Sequence, residues 1–113
     1  MKRLLLLLAL FASAAFAQTQ HSATLSWTQS TTPGITNNNV YRGTVSGGPY
    51  TLLTATALPA TTTYVDTSVT GGTTYFYVIT ALIGTSESAF SNQATAAIPV
   101  TPNAPTSLTV VPK

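Results

Sequence analysis

The chain has 113 residues, no cysteine and a formal net charge of +2, which suits one small domain that folds without disulfide bonds. Two of its four basic residues are Lys2 and Arg3, so the remainder of the chain carries balanced charges. Binding to nucleic acid or to an anionic membrane surface requires clustered Lys and Arg, and this composition excludes both.

The first 17 residues have the layout of a secretory signal peptide. A basic start is followed by an apolar run from Leu4, and small residues stand at Ala15 and Ala17. This order predicts cleavage after Ala17, and the apolar run is shorter than the roughly 20 residues that span a bilayer. The sequence therefore predicts a secreted protein, extracellular or periplasmic, with no membrane insertion once the signal peptide 1–17 has been removed.

Beyond residue 17 the sequence shows no helical period. Apolar and polar residues alternate instead, and Gly, Pro and Asn interrupt the alternation about every ten residues, which is typical of a β-sandwich or barrel. In SATLSWTQS, for example, Ala23, Leu25 and Trp27 share one face. Six strands are predicted, at 22–30, 39–44, 50–55, 64–65, 73–82 and 92–99.

The segment VTGGTTYFYVITAL, residues 69–82, is the most specific part of the chain. Its order of apolar residue, Gly-containing turn and tyrosine resembles the corner between the fifth and sixth strands of fibronectin type III domains. Trp27 in LSW resembles the second-strand tryptophan of that family, and NVYRGTVSGGPYTLL (39–53) resembles the third and fourth strands of its bacterial, secreted branch. The resemblance implies an all-β, immunoglobulin-like fibronectin type III β-sandwich for residues 18–99.

The same resemblance assigns roles to individual side chains. It implies that Tyr75 is the corner tyrosine, with a buried ring and a hydroxyl that bonds a nearby backbone group. The residues that it places in the core are Leu25, Trp27, Val40, Val69, Tyr75, Tyr77 and Ile79.

The opposite face of the longest strand is predicted to point out of the sheet. Phe76, Val78 and Leu82 would lie on this face, and Tyr41 of the neighbouring strand would join them. An outward apolar cluster can bind a protein or a polysaccharide. The alternative is that a loop such as 83–90, or the turn near Pro59, covers these residues.

The chain departs from the family pattern in two places. Asn38 stands where the third strand usually carries an aromatic residue, so either the strand starts late or this corner of the core is thin. In addition, 18–21 is too short to form a strand ahead of the Trp27 strand. The domain therefore lacks its first strand, whereas the linker and tail at 100–113 end in a segment, PNAPTSLTVVPK, that resembles one.

Two explanations of the tail remain open. The chain is a truncated fragment of a larger multi-domain extracellular protein, or residues 102–113 of one molecule fill the vacancy of the next by head-to-tail donation, which is self-association by strand addition. Insertion of the tail into its own domain is disfavoured because a connector from Pro99 to Ala104 spans at most about 20 Å.

The ionisable groups predict no catalysis. His21, Asp66 and Glu87 fall in separate segments, whereas acid/base chemistry needs groups that converge on one substrate atom. Asp66 in YVDTS is interpreted as a turn carboxylate that accepts backbone N–H bonds, and Glu87 as a solvated loop charge. With one histidine and no cysteine, no metal site or other cofactor is expected. The sequence therefore predicts a non-catalytic module that acts as a spacer, an adhesion domain or an interaction domain.

Overall fold

A computed structural model describes residues 20–54 and 56–113, so the predicted signal peptide lies outside the described residues. Within them the regular secondary structure consists of strands, and no helix is present that is long and apolar enough to cross a membrane. The strands are β1 Ala23–Ser26, β2 Asn37–Gly43, β3 Thr51–Leu52, β4 Leu58–Pro59, β5 Thr63–Asp66, β6 Thr74–Ile83, β7 Ser86–Glu87 and β8 Ala94–Ala97.

These strands form two antiparallel sheets. The smaller sheet contains β1 and β5, and the larger one has the order β3-β2-β6-β7, with β4 also paired to β2 and β8 also paired to β6. The longest pairing joins β2 to β6, from Asn37 opposite Leu82 to Gly43 opposite Phe76. The predicted all-β sandwich is confirmed, and β6 is its central strand.

Several strand boundaries differ from the prediction, and β3 and β8 are shorter than predicted. The two-residue strands β4 and β7 fall in segments predicted as loops. β2 begins at Asn37, two residues early, and β1 ends at Ser26 rather than at residue 30. Its pairing nevertheless extends one step further, because the Trp27 N–H donates to the Thr62 carbonyl at 2.9 Å.

The core lies between the two sheets, on the inward face of β6. Alternation along β6 buries Tyr75 and Tyr77 on this face, and Val40 of β2 is 0% exposed. Half-buried side chains at the margin of the core include Leu25, Trp27 and Ile79. The cluster of buried apolar residues is Ala23, Val40, Val69, Tyr75, Tyr77 and Ile98.

The start of β6 contains the corner tyrosine that the resemblance implied, directly after a glycine turn. The Tyr75 ring is 6% exposed, and its hydroxyl accepts a hydrogen bond from the Thr70 N–H at 3.0 Å. This backbone hydrogen bond lowers the pKa of Tyr75. Gly72 supplies the φ of +82° that the turn requires, and a side chain would adopt this conformation only with strain.

Replacing Tyr75 with Phe is expected to lower the free energy of unfolding by about 1–2 kcal/mol, because the Thr70 N–H loses its partner. Urea denaturation followed by far-UV circular dichroism measures the change. Tyr64→Phe is the matched control, since the half-buried Tyr64 ring also packs against the core but its hydroxyl makes no hydrogen bond among the described residues. Equal effects of the two substitutions would contradict a specific role for the corner bond.

The outer face of the larger sheet is covered, and here the prediction of an exposed cluster is wrong for two residues. Val78 is 2% exposed and Leu82 is 8% exposed, whereas Tyr41 and Phe76 are half-buried. The segment that follows β6 folds back across this face, and the Phe90 ring packs edge-on against Tyr41, with the ring centroids 5.1 Å apart. Val78 and Leu82 are therefore covered and not exposed, and the 83–90 segment reaches this face at Tyr41.

The same segment closes the edge of β6 that faces away from β2. β7 pairs with the end of β6 and β8 with its beginning. Between β7 and β8, two serines form hydrogen bonds to β6 through both their backbone and their hydroxyl groups. The Ala81 N–H donates to Ser88 Oγ, and the Ile79 N–H donates to Ser91 Oγ, each at 2.9 Å. The N–H groups of Ser88 and Ser91 in turn donate to the carbonyls of Ala81 and Ile79.

Asn38 fills the corner of the core where an aromatic residue was expected. It is 1% exposed, and its amide exchanges two hydrogen bonds with the Gln29 side chain, at 2.8 and 3.1 Å. It also accepts from the Thr61 N–H and donates to the Thr80 carbonyl, both at 3.1 Å. The strand therefore does not start late, and this corner of the core is not thin, because hydrogen bonds take the place of an aromatic ring.

Candidate functional site

An open groove of about 590 Å³ runs along the side of the sandwich where β1 and β8 face each other. We call it the β1 groove. Its lining mixes apolar side chains with hydroxyls and amides. It comprises residues 23–30 of the β1 segment, Asn38 of β2, Tyr77 and 79–81 of β6, the residues Ser88, Ala89, Ser91 and Asn92, and 94–96 of β8.

The groove exists because the smaller sheet has only two strands. Within the described chain β1 pairs with β5 alone, in the register Ala23 opposite Asp66 to Ser26 opposite Thr63. The other edge of β1 therefore leaves backbone N–H and C=O groups free, and such an edge can receive a further strand. The larger sheet extends past this edge, so its inner surface forms the floor of the groove.

Trp27 is the aromatic residue of the groove wall. Its ring is half-buried and packs against the core, but its indole Nε1 is buried and has no hydrogen-bond partner within 20–54 and 56–113. A buried N–H without a partner costs about 1–3 kcal/mol. This N–H is shielded from solvent, so it is a local cost of the fold and not a donor that the groove presents.

At one end of the core an ion pair joins the two sheets. Arg42 Nη1 lies 2.8 Å from Asp66 Oδ2, with the side chains 24% and 2% exposed. The Tyr77 hydroxyl donates to the same carboxylate at 2.7 Å, and the Ser68 N–H donates to Oδ1 at 3.0 Å. The turn interpretation of Asp66 is therefore confirmed and extended, because the carboxylate also holds Arg42, whose guanidinium stacks over the Tyr75 ring at 4.8 Å.

This environment shifts two pKa values in opposite directions. Burial raises the pKa of Asp66, but hydrogen bonds from Ser68, Tyr77 and Arg42 outweigh it and hold that pKa below its ordinary value. Burial and the Asp66 carboxylate raise the pKa of Tyr77. Asp66 is consequently ionised and fully engaged at neutral pH, which is the state of a structural carboxylate.

Glu87 is exposed, as its sequence context predicted, but it lies in β7 and not in a loop, and its carboxylate is also hydrogen bonded. Its carboxylate accepts hydrogen bonds from Thr80 Oγ1, the Tyr41 hydroxyl and Asn39 Nδ2. The bonds from Thr80 and Tyr41 lower the pKa of Glu87. These three donors lie on the outer face of the larger sheet, so Glu87 fastens the returning segment to that face.

The two carboxylates consequently lie on opposite faces of the larger sheet. Asp66 bonds Tyr77 on the inner face, and Glu87 bonds Thr80 on the outer face. His21 lies elsewhere, at the end of the sandwich where its Nε2 is 2.8 Å from Thr101 Oγ1. The described residues contain no group of three or more His, Cys, Asp or Glu side chains that could hold a metal ion.

Sequence reasoning missed the residues that shape the groove and the outer face. Phe90 was placed in a loop, yet its ring contacts both Tyr41 and Tyr50. Gln29 and Asn38 form hydrogen bonds with each other although they belong to separate segments, and no local sequence pattern connects them. The signal that was available is the pair of serines at 88 and 91, whose side chains can replace backbone partners along a strand edge.

Comparison with known proteins supplies the family. No protein-family model matches the chain, and no curated protein matches it. Among solved structures, the crystal structure of an Fn3-like protein from Clostridium thermocellum is 36% identical, with a TM-score of 0.60 over 73% of this chain and 81% of that one.

A second structure supports the fold alone. The solution structure of a fibronectin type III domain derived from the human KIAA0970 protein is 13% identical, with a TM-score of 0.58 over 80% of this chain and 73% of that one. The corner tyrosine and the two antiparallel sheets are the features that the resemblance to fibronectin type III domains implied. The clostridial Fn3-like protein is 36% identical over most of its chain. The chain belongs to the fibronectin type III family.

Proposed function

We propose that this protein is a secreted, non-catalytic fibronectin type III module that acts outside the cytoplasm as a spacer, adhesion or interaction domain. The observation that carries the proposal is the engagement of its two acidic residues. Both Asp66 and Glu87 are held by structural hydrogen bonds on opposite faces of one sheet. A general acid and a general base cannot meet at one substrate atom from these positions.

The absence of catalysis is tested with two charge-neutral variants. We expect Asp66→Asn and Glu87→Gln to leave the response of the protein in glycosidase, esterase and protease assays at the level of the wild type and of the buffer. A wild-type activity that both variants lose, while circular dichroism shows them folded, would contradict the proposal.

Export is tested separately. We expect the exported protein to begin at Gln18 by N-terminal sequencing, and Ala15→Arg with Ala17→Arg to retain it in the cell because small residues are needed at the cleavage site. The matched control is Ser13→Arg with Ala14→Arg, which leaves both small residues in place. A cytoplasmic wild-type protein with an intact N-terminus would contradict secretion.

A contact surface for a protein or a polysaccharide remains available on the outer face, in a form smaller than the sequence predicted. Tyr41 and Phe76 are half-buried and Phe90 is 52% exposed, whereas Val78 and Leu82 lie beneath them. Aromatic side chains provide large apolar contact areas with well-defined geometry. The interaction role therefore rests on Tyr41, Phe76 and Phe90.

Phe90→Ser is expected to lower the fraction of the protein that sediments with insoluble polysaccharide. The single substitution Phe76→Ser is expected to lower this fraction more. Val45→Ser is the control, since Val45 is similarly exposed at 57% but lies in the turn after β2. If Phe90→Ser and Val45→Ser behave alike, this face is not the contact surface.

A further inference from the structure

The β1 groove and the tail of the chain are complementary in shape and chemistry. The groove offers a free strand edge and a lining that mixes apolar side chains, Trp27 among them, with hydroxyls and amides. The tail, residues 102–113, carries exposed apolar side chains and forms no strand. Leu108, Val110 and Val111 are 91%, 81% and 86% exposed. A soluble domain seldom leaves an alternating apolar segment in water unless another surface receives it.

The tail leaves the domain at the end where β1 begins. Thr101 Oγ1 lies 2.8 Å from His21 Nε2, and the backbone near Pro99 packs closely against Gly71. A strand that pairs antiparallel with β1 must enter from the opposite end, beside Trp27. The tail of the same molecule therefore starts at the wrong end of its own groove.

The available chain length makes this mismatch decisive. From His21 to Trp27 the β1 segment is about 20 Å long, at about 3.3 Å per residue. From Thr101 to Thr106 the tail spans at most about 17 Å when fully extended, and the body of the sandwich prevents a straight path. A neighbouring molecule has no such restriction, because its groove can be positioned directly beyond the exit of the tail.

We propose that the β1 groove binds residues 106–110 of a second copy of this chain, as an added strand antiparallel to β1. Leu108 and Val110 would face the groove floor at Tyr77 and Ile79, and the added strand would lie beside the Trp27 side chain. Addition of a strand satisfies a row of backbone groups on both partners at once.

The proposed contact is heterologous, because one molecule contributes its tail and the other its groove. Each molecule retains a free tail at one end and a free groove at the other, so the assembly grows as an open chain whose length depends on concentration. The domain of each molecule is completed only when a neighbour is present. This inference is independent of the function proposed above, since a monomeric module could serve equally as a spacer.

Sedimentation velocity of the processed chain, residues 18–113, over a wide concentration range tests the proposal. We expect the wild type to form oligomers that lengthen with concentration. Leu108→Asp with Val110→Asp is expected to lower the association constant by more than about a hundredfold, because each Asp would bring a charge into an apolar groove. Thr109→Asp is the matched control, since it adds a charge to the opposite face of the same strand and should preserve the oligomers.

A second measurement uses the single tryptophan of the chain, which lines the groove. A synthetic peptide of residues 102–113 is titrated into the full-length Leu108→Asp/Val110→Asp protein. We expect a saturable blue shift of Trp27 fluorescence, and no shift with a peptide that carries the same two Asp substitutions. Because residues 102–113 are exposed throughout, circular dichroism should show that the variant remains folded.

Three results would overturn the proposal. The first is a wild type that stays monomeric at every concentration while the peptide leaves Trp27 fluorescence unchanged. The second is oligomers that persist equally in the Leu108→Asp/Val110→Asp variant, since another surface would then join the molecules. The third is a monomeric wild type whose Trp27 emission already matches the peptide-saturated state, which would place the tail in the groove of its own domain.

Discussion

Replacing Asp66 with Asn is expected to lower the free energy of unfolding by about 2–4 kcal/mol at neutral pH, because the Arg42 charge would remain between the sheets without its partner. Breaking a fully buried ion pair costs about 3–5 kcal/mol. The loss expected here extends below that range because the Arg42 side chain is 24% exposed. Urea denaturation monitored by Trp27 fluorescence gives the change. Thr67→Asn, an exposed neighbour in the same turn, is the control and should have little effect.

The pH dependence distinguishes the lost charge from a simple packing defect. The folded-state pKa of Asp66 lies below its ordinary value. A carboxyl of this kind contributes stability above its unfolded-state pKa, and the contribution disappears as the pH falls through the folded-state pKa. The difference between wild type and Asp66→Asn should therefore be largest above about pH 5 and shrink towards pH 2. A difference that does not change with pH would contradict the ion-pair explanation.

Replacing Asn38 with Leu is expected to lower the free energy of unfolding by about 3 kcal/mol, although the two side chains have the same branching and number of heavy atoms and the site is 1% exposed. The substitution leaves the Thr61 N–H without its acceptor, and a buried polar group left without a partner costs about 1–3 kcal/mol. It also removes both hydrogen bonds between Asn38 and the Gln29 amide, which keeps those to the Thr61 carbonyl and the Ser30 N–H. Thermal and urea unfolding of the two proteins give the difference. A variant as stable as the wild type, or more so, would show that the network contributes nothing net to folding.

Two further variants locate this effect in the network. Asn37→Leu changes the adjacent, half-buried residue of β2 and should alter stability by less than about 1 kcal/mol. In the Gln29→Ala variant, the main partner of Asn38 is already absent. Adding Asn38→Leu should therefore lower the free energy of unfolding by less than it does in the wild type. Strict additivity of the two substitutions would mean that Gln29 and Asn38 are not coupled.

The sequence predicts the inward residues of this domain because a strand alternates between two faces. Tyr75, Tyr77 and Val40 are spaced accordingly along β6 and β2, whereas the role of the Tyr75 hydroxyl was implied by the resemblance to fibronectin type III domains. The same logic predicts that Val78 lies on the other face. The alternation cannot predict whether that face is exposed to solvent, because the covering segment comes from residues further along the chain.

The polar contacts were less accessible to sequence reasoning for a related reason. Glu87 in TSES resembles many solvated loop charges, and only the returning course of the chain brings its carboxylate to Tyr41 and Thr80. Asn38 carries no local sign of its partners, since Gln29 and Thr61 approach it from separate segments. The groove, by contrast, lies beside the edge of β1 that no described strand pairs with.

The enclosure of β6 has a consequence for the fate of the protein under stress. Its sequence, TYFYVITALI, is uncharged, rich in aromatic and β-branched residues and free of Pro and Gly, which is the composition of amyloid-forming segments. In the native state β2 covers one edge of this strand, while β7, the serines at 88 and 91 and β8 cover the other. Fibril nucleation from β6 therefore requires global unfolding rather than local fraying, so shelf life should follow the unfolding rate.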